Sequence, residues 1–596
     1  MTSSRSPRRQ PRIDRRALLQ GSAAVAGSSA LISQHSAVAG QEATPVMRQS
    51  VGDFDLMDVT VANLRAGLDN GDFTIRELVR ASLDQVAALD LAGPELHAVI
   101  ELNPVALEIA DALDAELAEG ASRGPLHGIP VLLKDNIATA DGMENTAGSL
   151  ALEGAIPIKE AFVAERLREA GAVILGKTNL SEWANIRAPG SSSGWSGRGG
   201  QVRNPHQTGR TPSGSSSGSA AGVAAGYAPI SLGTETDGSV VSPANANGVV
   251  GIKPTVGLTS RMGVIPISHN QDTVGTFGRT VTDAALALTA IAVPDPDDPA
   301  VSSQSEGAGA TPEVASPVAS PGASPVAETA RPSYPRRPQT LLAPIDYTSA
   351  ETLDANGLRG ARLGVWRERT GYDTEADAVF EESLKALTAA GAELVDPVEM
   401  PSAEELASSP DELQVMLWEL KPGVAAYIEG YVDPSFPVRT LADVVAFNEE
   451  HADEELLWFG QEFLVQSVEK SDLSDPEYVA TVARSQRRGR EDGIDAVLAQ
   501  YEVDAIIAPT GQIAYAIDLI TGDNWKGASS TAAAVAGYPI VSVPAGSRFG
   551  LPLNLSFIGT AFSEPLLIRF AYAFEQATQA RIVPALVGPL VVPPVS

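Results

Sequence analysis

The sequence predicts an α/β protein: a single large domain with a mixed twisted β-sheet covered by helices. Two observations carry this expectation. Short aliphatic runs alternate with amphipathic helical patterns over several hundred residues. The composition is 44% hydrophobic, 19% charged and 5% aromatic, which is ordinary for a globular chain and excludes wholesale disorder, collagen and coiled coil. A length of 596 residues allows several domains at about 150 residues each, but large α/β enzymes often spend such lengths on one.

The chain opens on an address. Residues 1–16 hold Arg5, Arg8, Arg9, Arg12, Arg15 and Arg16 against a single acid, Asp14. A weakly apolar stretch from Ala17 to Ile32 follows, broken by Gly21 and Gly27, and Ala37-Val38-Ala39 supplies an A-x-A cleavage pattern. This is the order of a secretory signal, and Arg15-Arg16-Ala17-Leu18-Leu19 resembles the twin-arginine type. Cleavage near Ala39 is expected, leaving Gly40 at the N-terminus of an extracytoplasmic protein, secreted or held in the periplasm or cell envelope. The alternative is a basic tail. The run is too short and too polar for a membrane span, which needs about 20 apolar residues.

From Val59 to Leu89 the pattern reads as two helices punctuated by Gly71. Thr74-Ile75-Arg76-Glu77 forms a capping box at the start of the second, and Ile75, Leu78, Val79, Leu83 and Val86 line one face. Strand candidates follow at Ile129–Leu133, Val173–Leu175, Ala361–Val365, Ala505–Ala508, Ile540–Val543 and Leu551–Ile558. Helix candidates are Lys159–Ala170, Ala376–Ala390 and Leu566–Gln576. One stretch stands apart. Residues 301–340 hold seven Pro, seven Ser and seven Ala with no Leu, Ile or Phe, and repeat V-A-S-P. Such a segment buries too little apolar surface to offset its ordering entropy, so it is expected to be a surface insertion within the domain.

Charge and cysteine content narrow the function. The net charge of −32 argues against nucleic acid and anionic membrane as partners. No cysteine is present, which removes disulfides, thiolate nucleophiles and Cys-containing metal sites, and no two of the six histidines stand at HExxH spacing. No cofactor and no metal are expected.

The block from Thr211 to Thr255 is the most unusual in the chain. It opens as a Ser/Gly loop, continues through a helix of tiny side chains at Gly218–Gly226, and reaches a second loop at Gly233–Ser239 after the apolar Pro229–Leu232. Successive backbone N–H groups in that second loop are suited to an anion. A Ser/Gly loop by itself is a flexible linker more often than an active site. Upstream, however, Lys134 ends an apolar run, Ile129-Pro130-Val131-Leu132-Leu133, and a lysine there must snorkel out or be held in. A serine is a poor nucleophile until a base takes its proton, and a lysine acts as that base only when desolvation lowers its pKa. Two rival motifs are present. Gly214-Ser215-Ser216-Ser217-Gly218 also fits G-x-S-x-G with Ser216 as nucleophile, but the polar, proline-broken residues before it do not form the strand such an elbow needs. His127, His206 and His269 lie beside turn-like residues and are expected at the surface or behind a site, outside any Ser–His–Asp triad.

The G-I-P-V-x-x-K-D-N block at 128–136 and G-S-S-S-G-S-A-A with G-T-E-T-D-G-S resemble the amidase signature family of serine hydrolases. So do GKTNLSEWAN (176–185), GVVGIKPTVGL (248–258), SHNQDTVGTFGRTVTDAA (268–285) and GYPIVSVPAG (537–546). The resemblance covers roughly residues 55–580 outside the insertion and implies the amidase signature fold. It implies a Ser–cis-Ser–Lys triad with Ser239 as nucleophile, Ser215 as the bridging serine after a cis peptide bond, and Lys134 as base. The oxyanion hole would be the backbone N–H groups of Thr236, Asp237, Gly238 and Ser239. Ser213, Ser217 and Asp237 stand where many members carry glycine, and the Asp237 side chain is expected to point away from the anion. Asp135 and Asn136 are expected to support the site or form a turn. Among branches, the wording is most similar to bacterial peptide amidases, so a peptide C-terminal amide is the expected substrate partner. Aliphatic or aryl amide hydrolysis is the alternative within the family, and a catalytically silent amide-binding protein the alternative outside it.

Overall fold

The computed structural model describes residues 48–302 and 345–588. The expected signal segment and all but the first two residues of the 301–340 stretch lie outside them. The described residues fall in one compact unit.

Eleven strands build the central sheet. In chain order they are β1 (Val99–Leu102), β2 (Pro130–Lys134), β3 (Val173–Thr178), β4 (Ile230–Glu235), β5 (Val250–Lys253), β6 (Thr273–Gly278), β7 (Arg362–Trp366), β8 (Glu393–Val398), β9 (Ala505–Pro509), β10 (Ile540–Arg548) and β11 (Leu551–Ile558). Their order across the sheet is β8-β7-β9-β11-β10-β5-β6-β4-β2-β3-β1. The sheet is mixed. β2 runs parallel to both β3 and β4, and β7 parallel to β8 and β9, while the centre is antiparallel. The strands β2 to β6 are buried at every residue, as expected of strands covered on both faces. That is why β2 and β3 read as short continuous aliphatic runs.

The helices at 61–70 and 75–89 form as expected, the second opened by a capping box in which Thr74 and Glu77 satisfy each other's backbone N–H groups. The helix of tiny side chains spans Ser217–Ala224 and is buried throughout. Its smallness has a steric reason: a Cβ at Gly218 would collide with the carbonyl oxygens of Ala98 and Asn179. One expectation is corrected. The second loop does not begin at Gly233, because Gly233, Thr234 and Glu235 pair with Gly275, Val274 and Thr273 of β6 and belong to β4. The loop is therefore confined to residues 236–239.

The sequence reading placed no elements between 403 and 500, where the structure holds helices at Ala403–Ser408, Asp411–Tyr431, Leu441–Glu450, Glu462–Glu469 and Pro476–Gly489. Leu406 and Ala407 of the first, Glu412 and Met416 of the second and Phe463 of the fourth line one side of the cavity described below, with Ala184 and Asn185 of the turn at 182–185.

Candidate active site

Parallel pairing fixes where the site lies. Leu133 of β2 stands opposite Leu232 of β4 in parallel pairing, so Lys134 and Thr234 arrive together at the C-terminal ends of the two strands. Lys134 is fully buried there. Its Nζ donates to Ser215 Oγ at 2.7 Å, to Thr234 Oγ1 at 2.9 Å and to the Thr234 carbonyl at 3.2 Å. No carboxylate is paired with it directly. Burial pushes its pKa down to about 7, opposed by the more distant charges of Asp272 and Glu235.

Two other lysines, Lys177 and Lys253, are buried as deeply and are pushed down to about 8 for the same reason. Lys177 donates to the Ile137 carbonyl and to Asn145 Oδ1, with Asp135 at 4.0 Å, and Lys253 donates to the Tyr538 carbonyl at 2.6 Å. Burial alone therefore does not single out Lys134. Its contact with the Ser215 hydroxyl does.

The peptide bond between Gly214 and Ser215 is cis. Ser215 is fully buried, and the next residue ties its loop to the other one: the Ser216 N–H donates to the Ser239 carbonyl at 3.2 Å. Ser216, the alternative nucleophile, is buried, with its hydroxyl bonded to the Thr234 carbonyl at 3.0 Å and accepting from the Thr234 N–H at 3.2 Å. Ser239 lines the wall of a cavity of about 850 Å³, as do Thr236, Asp237 and Gly238.

The 236–239 loop is held from behind. The buried Glu235 carboxylate accepts from the N–H groups of Val240 at 2.6 Å and Val241 at 2.9 Å, at the start of the helix Val241–Asn247. Thr236 Oγ1 donates to Asp272 at 2.7 Å, and Asp272 in turn accepts from the Ile267 and Ser268 N–H groups. Gly238 has φ +77°, and a Cβ there would meet Ser242 Oγ at 3.0 Å and Ser530 Oγ at 3.1 Å. The N–H groups of Thr236, Asp237, Gly238 and Ser239 donate to no described residue. The Asp237 carboxylate accepts from the Ser530 hydroxyl and, at 2.8 Å, from the Thr531 hydroxyl.

The neighbours of Lys134 have supporting contacts. Asn136 Nδ2 donates to Thr234 Oγ1 at 3.0 Å, and the buried Asp135 accepts from Thr146 and lies 3.5 Å from Arg198. The histidines lie apart from the serines. Of the two placements expected, surface or behind a site, the surface one does not hold for His127 and His206, which are buried and bond to the carbonyls of Leu113 at 3.1 Å and Asn247 at 3.0 Å. His269 faces Glu419 and Tyr478. Among the described residues no cluster of His, Asp or Glu side chains is arranged to hold a metal ion.

The far wall of the cavity is built by residues 184–189, held by an ion network. Trp183, Ala184 and Asn185 have φ of 50°, 51° and 73°, a run of left-handed residues that turns the chain sharply. Arg187, fully buried, donates to Glu182 at 2.7 Å, Glu455 at 3.3 Å, and the carbonyls of Gly460 and Phe459 at 3.0 Å each. Its guanidinium also lies 4.5 Å from the centre of the Phe459 ring. Thr234, Glu235, Asp272, Arg187 and Arg369 all escaped the sequence reading as site residues. The first three stand inside phrases already quoted for the resemblance, whereas Arg187 and Arg369 carried no local signal.

The Amidase family matches residues 77–321 and 328–568. A probable amidase of Arabidopsis thaliana is 38% identical over 542 residues, 90% of this chain and 93% of the relative. The crystal structure of the peptide amidase from Stenotrophomonas maltophilia superposes with a TM-score of 0.78 at 46% identity, covering 89% of this chain and 99% of that one. An amidase family protein from Bacillus anthracis gives a TM-score of 0.74 at 32% identity, over 89% and 92% of the two chains. The chain belongs to the amidase family, and its activity class is that of an amidase, a hydrolase of amide C–N bonds.

Proposed function

We propose that this chain is an exported amidase that hydrolyses the C-terminal carboxamide of peptides through Ser239, Ser215 and Lys134. The observation that carries the reading is the buried Lys134 amine, 2.7 Å from the Ser215 hydroxyl, behind a cavity that Ser239 lines. In its neutral form the amine accepts the Ser215 proton while Ser215 Oγ accepts that of Ser239. Ser239 Oγ then bonds to the carboxamide carbon. The negative charge that develops on the carbonyl oxygen is met by the N–H groups of residues 236–239, which have no other described acceptor. The relay reverses to protonate the departing nitrogen, the C–N bond breaks and ammonia leaves. Water, deprotonated by the same relay, attacks the acyl-enzyme and frees Ser239 and the acid.

Preference for a peptide amide draws support from the 46% identity to the Stenotrophomonas maltophilia enzyme and from a cavity large enough for more than a simple amide. A fluorophosphonate probe is expected to label the protein, and Ser239→Ala to remove the label completely. A chain that binds peptide amides and never labels would be a capture protein instead. Ammonia release from peptide, aliphatic and aryl amides then ranks the substrates.

Export draws support from the arginine-rich, weakly apolar N-terminus. Intact-mass analysis of material outside the cytoplasm is expected to begin at Gly40. Finding Met1 retained on that material overturns a cleaved signal.

A further inference from the structure

Arg369 stands in the short helical turn Arg367–Arg369 that follows β7, on the wall of the same cavity. The other charged residues of that turn are paired. Arg367 binds Glu381 and Asp396, and Glu368 accepts from Trp366 Nε1 at 2.9 Å and the Met400 N–H at 3.1 Å. Arg369 makes no hydrogen bond and no ion pair with any described residue, and its Nε is buried without a partner. Its guanidinium lies 4.7 Å from the centre of the Trp366 ring, so stacking holds the plane without filling any N–H group.

The charge balance indicates what would fill them. Burial pulls the Arg369 pKa down, and Asp237 is the largest charge acting the other way. Asp237 supplies a counter-charge at a distance, while the hydroxyls of Ser530 and Thr531 occupy its own oxygens. A carboxylate on the ligand would face Asp237, which lines the same cavity. A neutral oxygen acceptor satisfies the donors without adding that repulsion.

We propose that Arg369 donates to a peptide carbonyl on the acyl side of the scissile carboxamide, and so selects acylated amino acid amides over plain alkyl amides. This rests on the amidase reading above and is tested apart from turnover. In the Ser239→Ala protein, calorimetric titration compares an N-acetyl amino acid amide with an alkyl carboxamide of equal length that lacks the acetyl carbonyl. Adding Arg369→Ala is expected to weaken the first by about tenfold to a hundredfold, the range for a charged hydrogen bond, and to collapse the ratio of the two affinities towards one. Arg369→Lys, which keeps a donor, is expected to retain part of that ratio. An unchanged ratio, an equal loss for both ligands, or no binding of either ligand to Ser239→Ala overturns the proposal. Absence of ammonia release by the wild-type protein would sink the amidase reading and still leave these affinities readable.

Discussion

Lys134→Ala is expected to lower kcat/KM for a peptide amide by about 10³-fold or more, the cost of losing the proposed base that would act as one unit with its serines. The reason lies in what surrounds the amine. Lys134 Nζ donates to Ser215 Oγ at 2.7 Å, and among the described residues no histidine or carboxylate bonds to either Ser215 or Ser239 to take over the base's task. Lys134→Arg is equally informative, because arginine keeps the positive charge and stays protonated throughout the working range. It is expected to be as inactive as the alanine variant.

The wild-type pH profile completes the test. A base must be unprotonated to act, and burial holds Lys134 at about 7, so kcat/KM rises with pH through about 7 and levels off above it. A flat profile between pH 5 and 9, or more than about a tenth of wild-type activity in Lys134→Arg, contradicts the assignment. Circular dichroism and the thermal midpoint separate lost chemistry from lost fold.

Arg187→Met is expected to destabilise the protein by about 3–5 kcal/mol, read as a fall in the urea midpoint at pH 7. Arg187 is a fully buried cation between two buried carboxyl groups, Glu182 and Glu455. Burial and the neighbouring Glu455 already push Glu182 up to about 8, and Arg187 opposes that rise. Methionine matches much of the volume but leaves the two acids facing one another and orphans the carbonyls of Phe459 and Gly460. Arg187 follows the left-handed run at 183–185, so the cavity wall at 184–189 is expected to loosen in the variant. Lower affinity for the N-acetyl amino acid amide would accompany the lower midpoint. A variant as stable as the wild type would show that the network contributes no net stability.

Much of the fold was legible because burial on both faces produces a local signal. The strands at 130–134, 173–178, 505–509 and 551–558 are short aliphatic runs, and the helix at 75–89 carries both its periodicity and its capping box in adjacent residues. The helices from 403 to 489 were not placed. Pro422 interrupts the longest of them without ending it, and the many charged residues there obscure the apolar face. Ordering of the loop start at Gly233 failed for a different reason. Glycine and threonine read locally as turn formers, but pairing with β6 makes them strand.

The sequence by itself determined the class of protein, the hydroxyl-rich loops and the lysine at the end of an apolar run, since each is written within a few neighbouring residues. Only the tertiary structure decided that Lys177 and Lys253 are buried as deeply as Lys134 without touching either serine, and which distant side chains join the cavity. Arg369 lies more than a hundred residues beyond Ser239 and reaches the same wall through the placement of β7 in the sheet. Local periodicity reports how a segment buries its own face. Strand order and the convergence of far-apart side chains are settled by long-range packing, which leaves no mark on the spacing of neighbouring residues.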